Sequence, residues 1–241
     1  MDRRLKEIVD NFDKIKIGLD QPFKFHCTQC GKCCINREDI LMNPFDLFRA
    51  AKELNMDPNG FIEQYCETYL GQDSKMPIVR LRPRGSIKRC PLLKDRKCSI
   101  HKAKPTVCAL FPIGRVIRSE MPKDGTQKIS TDIEYILTNP GCGDNAETHT
   151  VREWLTEFSI PISDNFFVKW NEVICKLSPL LQQCIKQFSE ETADKVITLA
   201  YVKLYLDYDM SKEFMPQFIK NTEFIVGLML SLIHISEPTR P

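Results

Sequence analysis

A run of four cysteines is the part of the sequence best suited to chemistry: Cys27, Cys30, Cys33 and Cys34 lie within eight residues. Thiolate sulfur is a preferred ligand of zinc and of iron–sulfur clusters, and ligands close in sequence converge on one centre with little loss of chain entropy. The first three have the spacing with which bacterial ferredoxins supply three ligands to a four-iron cluster. Gly31 permits a tight turn among them. Two adjacent cysteines cannot easily chelate one small ion, so Cys33 and Cys34 could serve different centres.

More cysteines follow in the pattern Cys-Pro-x6-Cys-x9-Cys, which starts at Cys90 and ends at Cys108, and Cys142 stands between two glycines. Eight thiolates would fill two four-coordinate sites, or one cluster and one zinc site. We therefore predict that the metal ligands are Cys27, Cys30, Cys33, Cys34, Cys90, Cys98, Cys108 and Cys142.

The chain has 11 cysteines and no apolar run after its charged N-terminus. The N-terminus is therefore unlike a signal peptide, and we expect a cytoplasmic protein, in which abundant cysteines indicate metal or redox chemistry rather than disulfides. Cys66, Cys175 and Cys184 lie in predicted helices beside apolar residues, and we expect them in the core.

The choice between iron and zinc depends on weaker features. His26 and His101 alone lie near the cysteines, which disfavours mixed Cys/His zinc sites. Residues 80–104 carry ten Lys or Arg residues against Asp95, and positive charge lowers thiol pKa values and offsets an anionic cluster or a zinc tetrathiolate alike. The sequence favours a 4Fe-4S cluster and leaves zinc open. Because this basic stretch lacks interleaved aromatic residues, we expect no nucleic acid partner.

The elements that would position the cysteines come from periodicity and caps. An amphipathic helix is predicted over 3–16, and Asn43-Pro44 and Asp57-Pro58 are typical helix starts. The predicted helices after these starts run to about Leu54 and about Tyr69. Predicted strands cover 77–81, 113–118 and 129–137, with a hairpin turn at Lys123-Asp124-Gly125 between the last two. Residues 80–104 are predicted to be loop-like.

From residue 150 onward the pattern is helical. Predicted helices cover 150–158, 163–188, 191–209 and 212–229, and Pro179 should kink or split the second of them. We predict an α+β fold with an irregular cysteine-rich metal-binding N-terminal half, containing short strands and helices, and a mainly helical C-terminal half. The predicted organisation is a metal-binding domain over 1–149 and a helical extension over 150–229.

We interpret the last residues as having a different origin from the rest of the chain. Residues 230–240 read Leu-Ser-Leu-Ile-His-Ile-Ser-Glu-Pro-Thr-Arg, which is the in-frame translation of a transposase sequencing adapter. We interpret 230–241 as a translated adapter and exclude it from the prediction of the native fold. Because half of the apolar run 224–235 is adapter, we expect no membrane span.

The motifs together resemble the CxxCxxCC cysteine-cluster family of zinc- or iron-chelating proteins, a broad group that includes the flagellin lysine N-methylases. The resemblance covers roughly 25–115. Its matching segments are Cys27–Cys34, Asn43–Ala50, Cys90–Leu93, Cys98–Ile100 and Pro105–Pro112. The chain departs from the family where His101 replaces a usual Tyr and Lys104 a usual Arg. The resemblance implies metal binding, and its methylase branch implies methyl transfer to protein lysine, although we match no methylase-specific motif here.

Enzymatic and non-enzymatic functions both remain open at this level. As an enzyme, the protein would use a redox-active cluster beside an open pocket to support group transfer, and its partner would be a protein substrate. As a binding module, it would hold a fully coordinated zinc without a pocket, and the metal would stabilise a scaffold that recognises a protein partner. Neither interpretation includes a nucleic acid or a membrane.

Overall fold

The computed structural model describes residues 3–36, 40–120 and 128–236, and over these residues the fold is α+β, as predicted. The helices are α1 (Arg3–Asp10), α2 (Phe12–Ile15), α3 (Pro44–Glu53), α4 (Pro58–Tyr65), α5 (Thr106–Leu110), α6 (Val151–Glu157), α7 (Asn165–Gln187), α8 (Glu190–Tyr201) and α9 (Phe214–Ser236). The strands are β1 (Lys16–Ile17), β2 (Pro22–His26), β3 (Leu41–Met42), β4 (Cys66–Leu70), β5 (Pro77–Leu81), β6 (Leu93–Lys94), β7 (Lys97–Cys98), β8 (Ile113–Glu120), β9 (Lys128–Leu137) and β10 (Asp144–Thr150).

Over the described residues the chain divides into two compact units. Unit 1 comprises Met1–Arg37 and Arg84–Val168, and unit 2 comprises Glu38–Pro83 and Lys169–Pro241. All eight predicted ligands fall in unit 1, whereas Cys66, Cys175 and Cys184 fall in unit 2. The boundary that the sequence predicts near residue 149 stays a prediction.

Unit 1 is built on antiparallel strands around an aromatic core. Strands β1, β9 and β8 pair in that order, and β2 pairs with β10. Trp154 of α6 packs edge-on against Phe23 and Phe25 of β2, with ring centroids 5.8 and 5.7 Å apart. Its indole nitrogen donates to the Leu110 carbonyl at 3.0 Å, which satisfies a buried donor. The core therefore connects α6 to the residues just after Cys108.

Unit 2 combines the sheet β3-β5-β4 with helices. Buried α9 residues Phe218, Ile225 and Met229 recur at helical spacing and form a stripe in its core. By length and composition alone, Phe214–Ile235 could cross a membrane, with 33% of its most apolar window buried, but a helix in a protein core meets the same criterion. The expected absence of a membrane partner stays a prediction.

Helix starts agree closely with their predicted caps. The side chain of Asn43 accepts from the Asp46 amide at 2.7 Å, and that of Asp57 accepts from the Gly60 amide at 2.9 Å. Thr150 and Glu153 form a reciprocal capping box at the start of α6. The predicted strands also form, and the turn predicted at Lys123-Asp124-Gly125 lies outside the described residues.

Several element predictions need correction. The helix predicted to reach Tyr69 ends at Tyr65, because Cys66–Leu70 pairs with β5 in the register Cys66↔Leu81 and forms a strand. Helix α7 continues through Pro179 without splitting, with Leu177 and Leu181 fully buried on either side, and the alternative of a kink at Pro179 stays a prediction. Helix α9 extends beyond Met229 into the stretch interpreted as adapter, since the helical pattern continues there.

Candidate metal centre

The first cysteine run forms a tight turn. Gly31 has the left-handed φ of 73° that glycine adopts without strain, and Lys32–Cys34 follows as a 3-10 turn. The Cys34 amide donates to the Gly31 carbonyl at 3.0 Å. The sulfur atoms of Cys33 and Cys34 lie 3.8 Å apart. Both adjacent thiols are half-buried at this turn.

The second cysteine segment is hydrogen-bonded directly to this turn. The Cys90 amide donates to the Cys34 carbonyl at 2.8 Å, and the Leu93 amide donates to the Cys90 carbonyl at 3.2 Å. Strands β6 and β7 then form a short hairpin in which Leu93 pairs with Cys98. This backbone path places Cys34, Cys90 and Cys98 on one connected turn and hairpin.

Cys142 reaches the first run through the β2–β10 ladder. Asp144 pairs with His26, so Cys142 lies close to the start of the run at Cys27. The His26 Nδ1 and Asp144 Oδ1 atoms are 3.0 Å apart. Gly143 sits at this junction with a φ of 71°, and a Cβ placed there would lie 2.5 Å from the His26 carbonyl oxygen.

Replacing Gly143 by alanine should therefore destabilise the protein by about 1–3 kcal/mol from the left-handed backbone alone, and further through the contact with His26. Gly141→Ala is the matched control, because Gly141 also has a positive φ of 60° but a Cβ there meets nothing within 4 Å. Chemical denaturation of both variants measures the difference. Equal losses of stability would contradict the close approach at Gly143.

The electrostatics identify which thiols are neighbours. Burial, followed by the charges of Cys33, Cys30 and Cys27, raises the pKa of Cys142 to about 11. A hydrogen bond with Cys33, burial and then the charges of Cys33, Cys90 and Cys108 raise the pKa of Cys34 well above its ordinary value.

Burial is also the main cause that raises the pKa values of Cys90 and Cys98, and Cys33 adds to both. Cys98 in turn adds to the increase at Cys90. These thiols resist ionisation as long as no cation is nearby, so a metal ion that binds them must displace protons.

Cys30 behaves differently. The Lys32 backbone amide, and to a smaller extent the Gly143 amide, hydrogen-bond the sulfur and lower the pKa of Cys30 despite burial. Amides directed at sulfur stabilise a thiolate in the same way as they would stabilise a sulfur ligand of a metal. Of the predicted ligands with an altered pKa, Cys30 is the one whose pKa is lowered.

The thiols gather in one unit without forming a closed coordination shell. Among the described residues no group of three or more His, Cys, Asp or Glu side chains is positioned to hold a metal ion. The chemistry of the eight predicted ligands nevertheless fits a metal ion, because all of them are free cysteines whose neighbours are other thiols. The assignment of the eight cysteines as ligands stays a prediction.

An open groove lies beside Cys33. It has a volume of about 580 Å³ and belongs entirely to unit 1. Its lining includes apolar side chains of α1, α2 and β9 together with Lys32 and Cys33 of the cysteine turn. The lining residues are Ile8, Asn11, Ile15, Lys32, Cys33, Phe111, Leu137, Thr138, Asn139, Pro140 and Gly141.

Sequence reasoning missed the groove and the β2–β10 ladder. The ladder has a visible signal, since Phe23 and Phe25 are buried while Pro22 and Lys24 are exposed, which is the period of two expected of a strand. The groove gives no such signal in the sequence, because its lining comes from segments that are far apart along the chain. His101 is exposed, and Cys66 and Cys184 are buried as predicted, whereas Cys175 is only half-buried.

The crowded free thiols of unit 1 define a cysteine-rich domain of the metal-binding class. A family model described as "Putative zinc- or iron-chelating domain", CxxCxxCC, matches residues 26–142, a span that includes all eight predicted ligands. The resemblance found in the sequence is confirmed over these residues. No curated protein and no solved structure matches the chain significantly.

Proposed function

We propose that the protein binds metal at two thiolate centres that meet at the adjacent pair Cys33 and Cys34. The observation that carries this proposal is the grouping of the thiols by their neighbours. Cys142 has Cys27, Cys30 and Cys33 around it, whereas Cys34 has Cys90 and Cys108 around it and is bonded through its backbone to Cys90.

The grouping divides the eight cysteines into sets of four, the number of ligands required by a zinc tetrathiolate or a 4Fe-4S cluster. Cys33 also neighbours Cys90 and Cys98, so the sets are in contact there. The first set is Cys27, Cys30, Cys33 and Cys142. The second set is Cys34, Cys90, Cys98 and Cys108.

The first set is the better candidate for an iron–sulfur cluster. Three of its members have the ferredoxin spacing, and the amides of Lys32 and Gly143 hydrogen-bond its Cys30 sulfur. Hydrogen bonds to sulfur and nearby positive charge both stabilise a reduced cluster. A bound cluster would supply electron transfer or Lewis acidity, and zinc in both sets is the alternative.

The groove supports an enzyme more than a closed scaffold. Cys33 belongs to the first set and also lines the groove, so a ligand in the groove would lie next to that centre. The apolar side chains of Ile8, Ile15 and Leu137 can hold an aliphatic chain, and Lys32 supplies a cation to the same lining. Group transfer to a protein side chain, such as methylation, fits this arrangement. A cytoplasmic location is part of the same proposal.

Single cysteine replacements test the two-centre assignment. Cys30→Ser should remove the metal of the first set and leave that of the second, Cys98→Ser should do the reverse, and the double variant should bind none. Cys175→Ser, a half-buried cysteine of unit 2, is the matched control and should retain full metal. Metal analysis of the purified proteins measures each content. If either single variant lost all metal, one shared centre would replace our assignment.

A further inference from the structure

The segment Arg84–Lys104, here called the basic segment, concentrates charge on the surface of unit 1. It contains eight Lys or Arg residues and Asp95, a net charge of +7, whereas the whole chain carries +2, so the remainder carries −5. Seven of the eight basic residues are exposed, and Lys104 is half-buried. The excess of positive over negative charge is thus concentrated in one segment, the same one that carries Cys90 and Cys98.

The basic segment also places like charges directly opposite each other. Lys94 pairs with Lys97 across the β6–β7 hairpin. Arg84 pairs with Arg89 across an isolated bridge, in which each amide donates to the other's carbonyl at 2.8 Å. Like charges opposed on neighbouring strands destabilise the pairing. At Lys94 and Lys97 the free protein therefore holds an unfavourable pair whose repulsion a bound anion would relieve.

Ile87 lies in the turn between Arg84 and Arg89, and 52% of its surface is exposed. The carbonyl of Ile87 accepts from the Asn36 amide at 3.0 Å, which fixes this loop against the cysteine turn. An exposed aliphatic side chain among cations favours an acidic protein over nucleic acid, because nucleic acid recognition uses aromatic stacking and the segment has no Phe, Tyr or Trp.

We propose that the basic segment is a docking surface for an acidic protein segment that carries aliphatic residues. Carboxylates would lie between the opposed cations Lys94 and Lys97 and beside Arg89, and an aliphatic side chain would contact Ile87. This docking brings the partner to the rim of the cysteine centre. It depends on the charge and geometry of the surface and holds whichever metal the cysteines bind.

The test uses the full chain, purified with its metal, and three labelled probes of equal length: a polyglutamate peptide, a glutamate peptide with interspersed leucines, and oligothymidylate. The leucine-containing peptide should bind most tightly by fluorescence anisotropy. Arg89→Gln with Lys97→Gln removes one cation from each opposed pair and should weaken that binding tenfold or more. The same variant should keep or raise the melting temperature, since the repulsion is gone.

The control variant removes two exposed lysines of unit 2, Lys176→Gln with Lys186→Gln, and should change binding by less than twofold. Ile87→Ser should abolish the preference for the leucine-containing peptide over polyglutamate. Tighter binding of oligothymidylate, or equal weakening by the control variant, would overturn the proposal. Metal content measured on every variant separates this result from loss of the cysteine centres, because these substitutions leave all thiols in place.

Discussion

Removing the metal is expected to unfold the cysteine-bearing part of unit 1 and leave unit 2 folded. Thiolate–metal binding contributes on the order of 10 kcal/mol to the folding of structural zinc sites. The Cys27–Cys34 turn and the β6–β7 hairpin are short and carry few buried apolar residues of their own. Without a cation, Cys34, Cys90 and Cys98 stay protonated because their pKa values are raised, so no attraction between thiolates and a metal ion holds these short elements together.

Trp154 provides the optical signal for this prediction. It is 5% exposed and bonded to the Leu110 carbonyl, two residues beyond Cys108. In a Trp170→Phe variant, chelation should shift the Trp154 emission to the red and lower the melting temperature of unit 1 by about 10 °C or more, at roughly 2–4 °C per kcal/mol. Hydrogen exchange in α8 and α9 should not change. Equal loss of protection in both units would contradict the prediction.

Neutralising Asp164 is expected to cost about 3–5 kcal/mol, because it leaves a buried cation without its charge partner. The Arg115 and Asp164 side chains are 5% and 13% exposed, and the Nη1–Oδ2 distance is 2.6 Å. The guanidinium also lies 4.0 Å from the centre of the Phe167 ring. Among the described residues its Nε has no hydrogen-bond partner, so little else compensates the charge.

Asp164→Asn isolates the charge, since an asparagine can still accept from the Phe167 amide at the start of α7, as Asp164 does at 2.9 Å. Arg152→Gln is the control, because Arg152 pairs with Asp20 at the surface, where the side chains are 48% and 74% exposed. That change should have no measurable effect on stability. Urea denaturation compares the two variants, and similar midpoints would contradict the assigned role of the buried pair.

The sequence predicted those features that local chemistry determines. Asn43-Pro44, Asp57-Pro58 and Thr150 begin helices because their side chains satisfy the first free amides of the helix. The cysteine spacing predicted metal chemistry for the same reason, since ligands close in sequence are close in space. The position of Gly31 at the turn follows from the same local constraint.

Features that depend on distant partners could not be predicted in this way. Cys66 forms part of a strand because Leu81, fifteen residues later, pairs with it, and the helical pattern before it gives no sign of that partner. Cys142 comes close to the Cys27–Cys34 run through the pairing of Asp144 with His26, which no local pattern predicts. The groove beside Cys33 likewise needs β9 and α1 to meet at the cysteine turn.

The central claim is that the eight cysteines of unit 1 bind metal, and elemental analysis tests it most directly. The full chain should be purified without oxygen, and iron, acid-labile sulfide and zinc measured per chain beside the visible spectrum. We expect near-equal iron and sulfide with a brown absorption that bleaches on reduction. One or two zinc ions without sulfide or colour would replace the iron–sulfur proposal by the zinc alternative. A folded protein with neither metal would contradict the account.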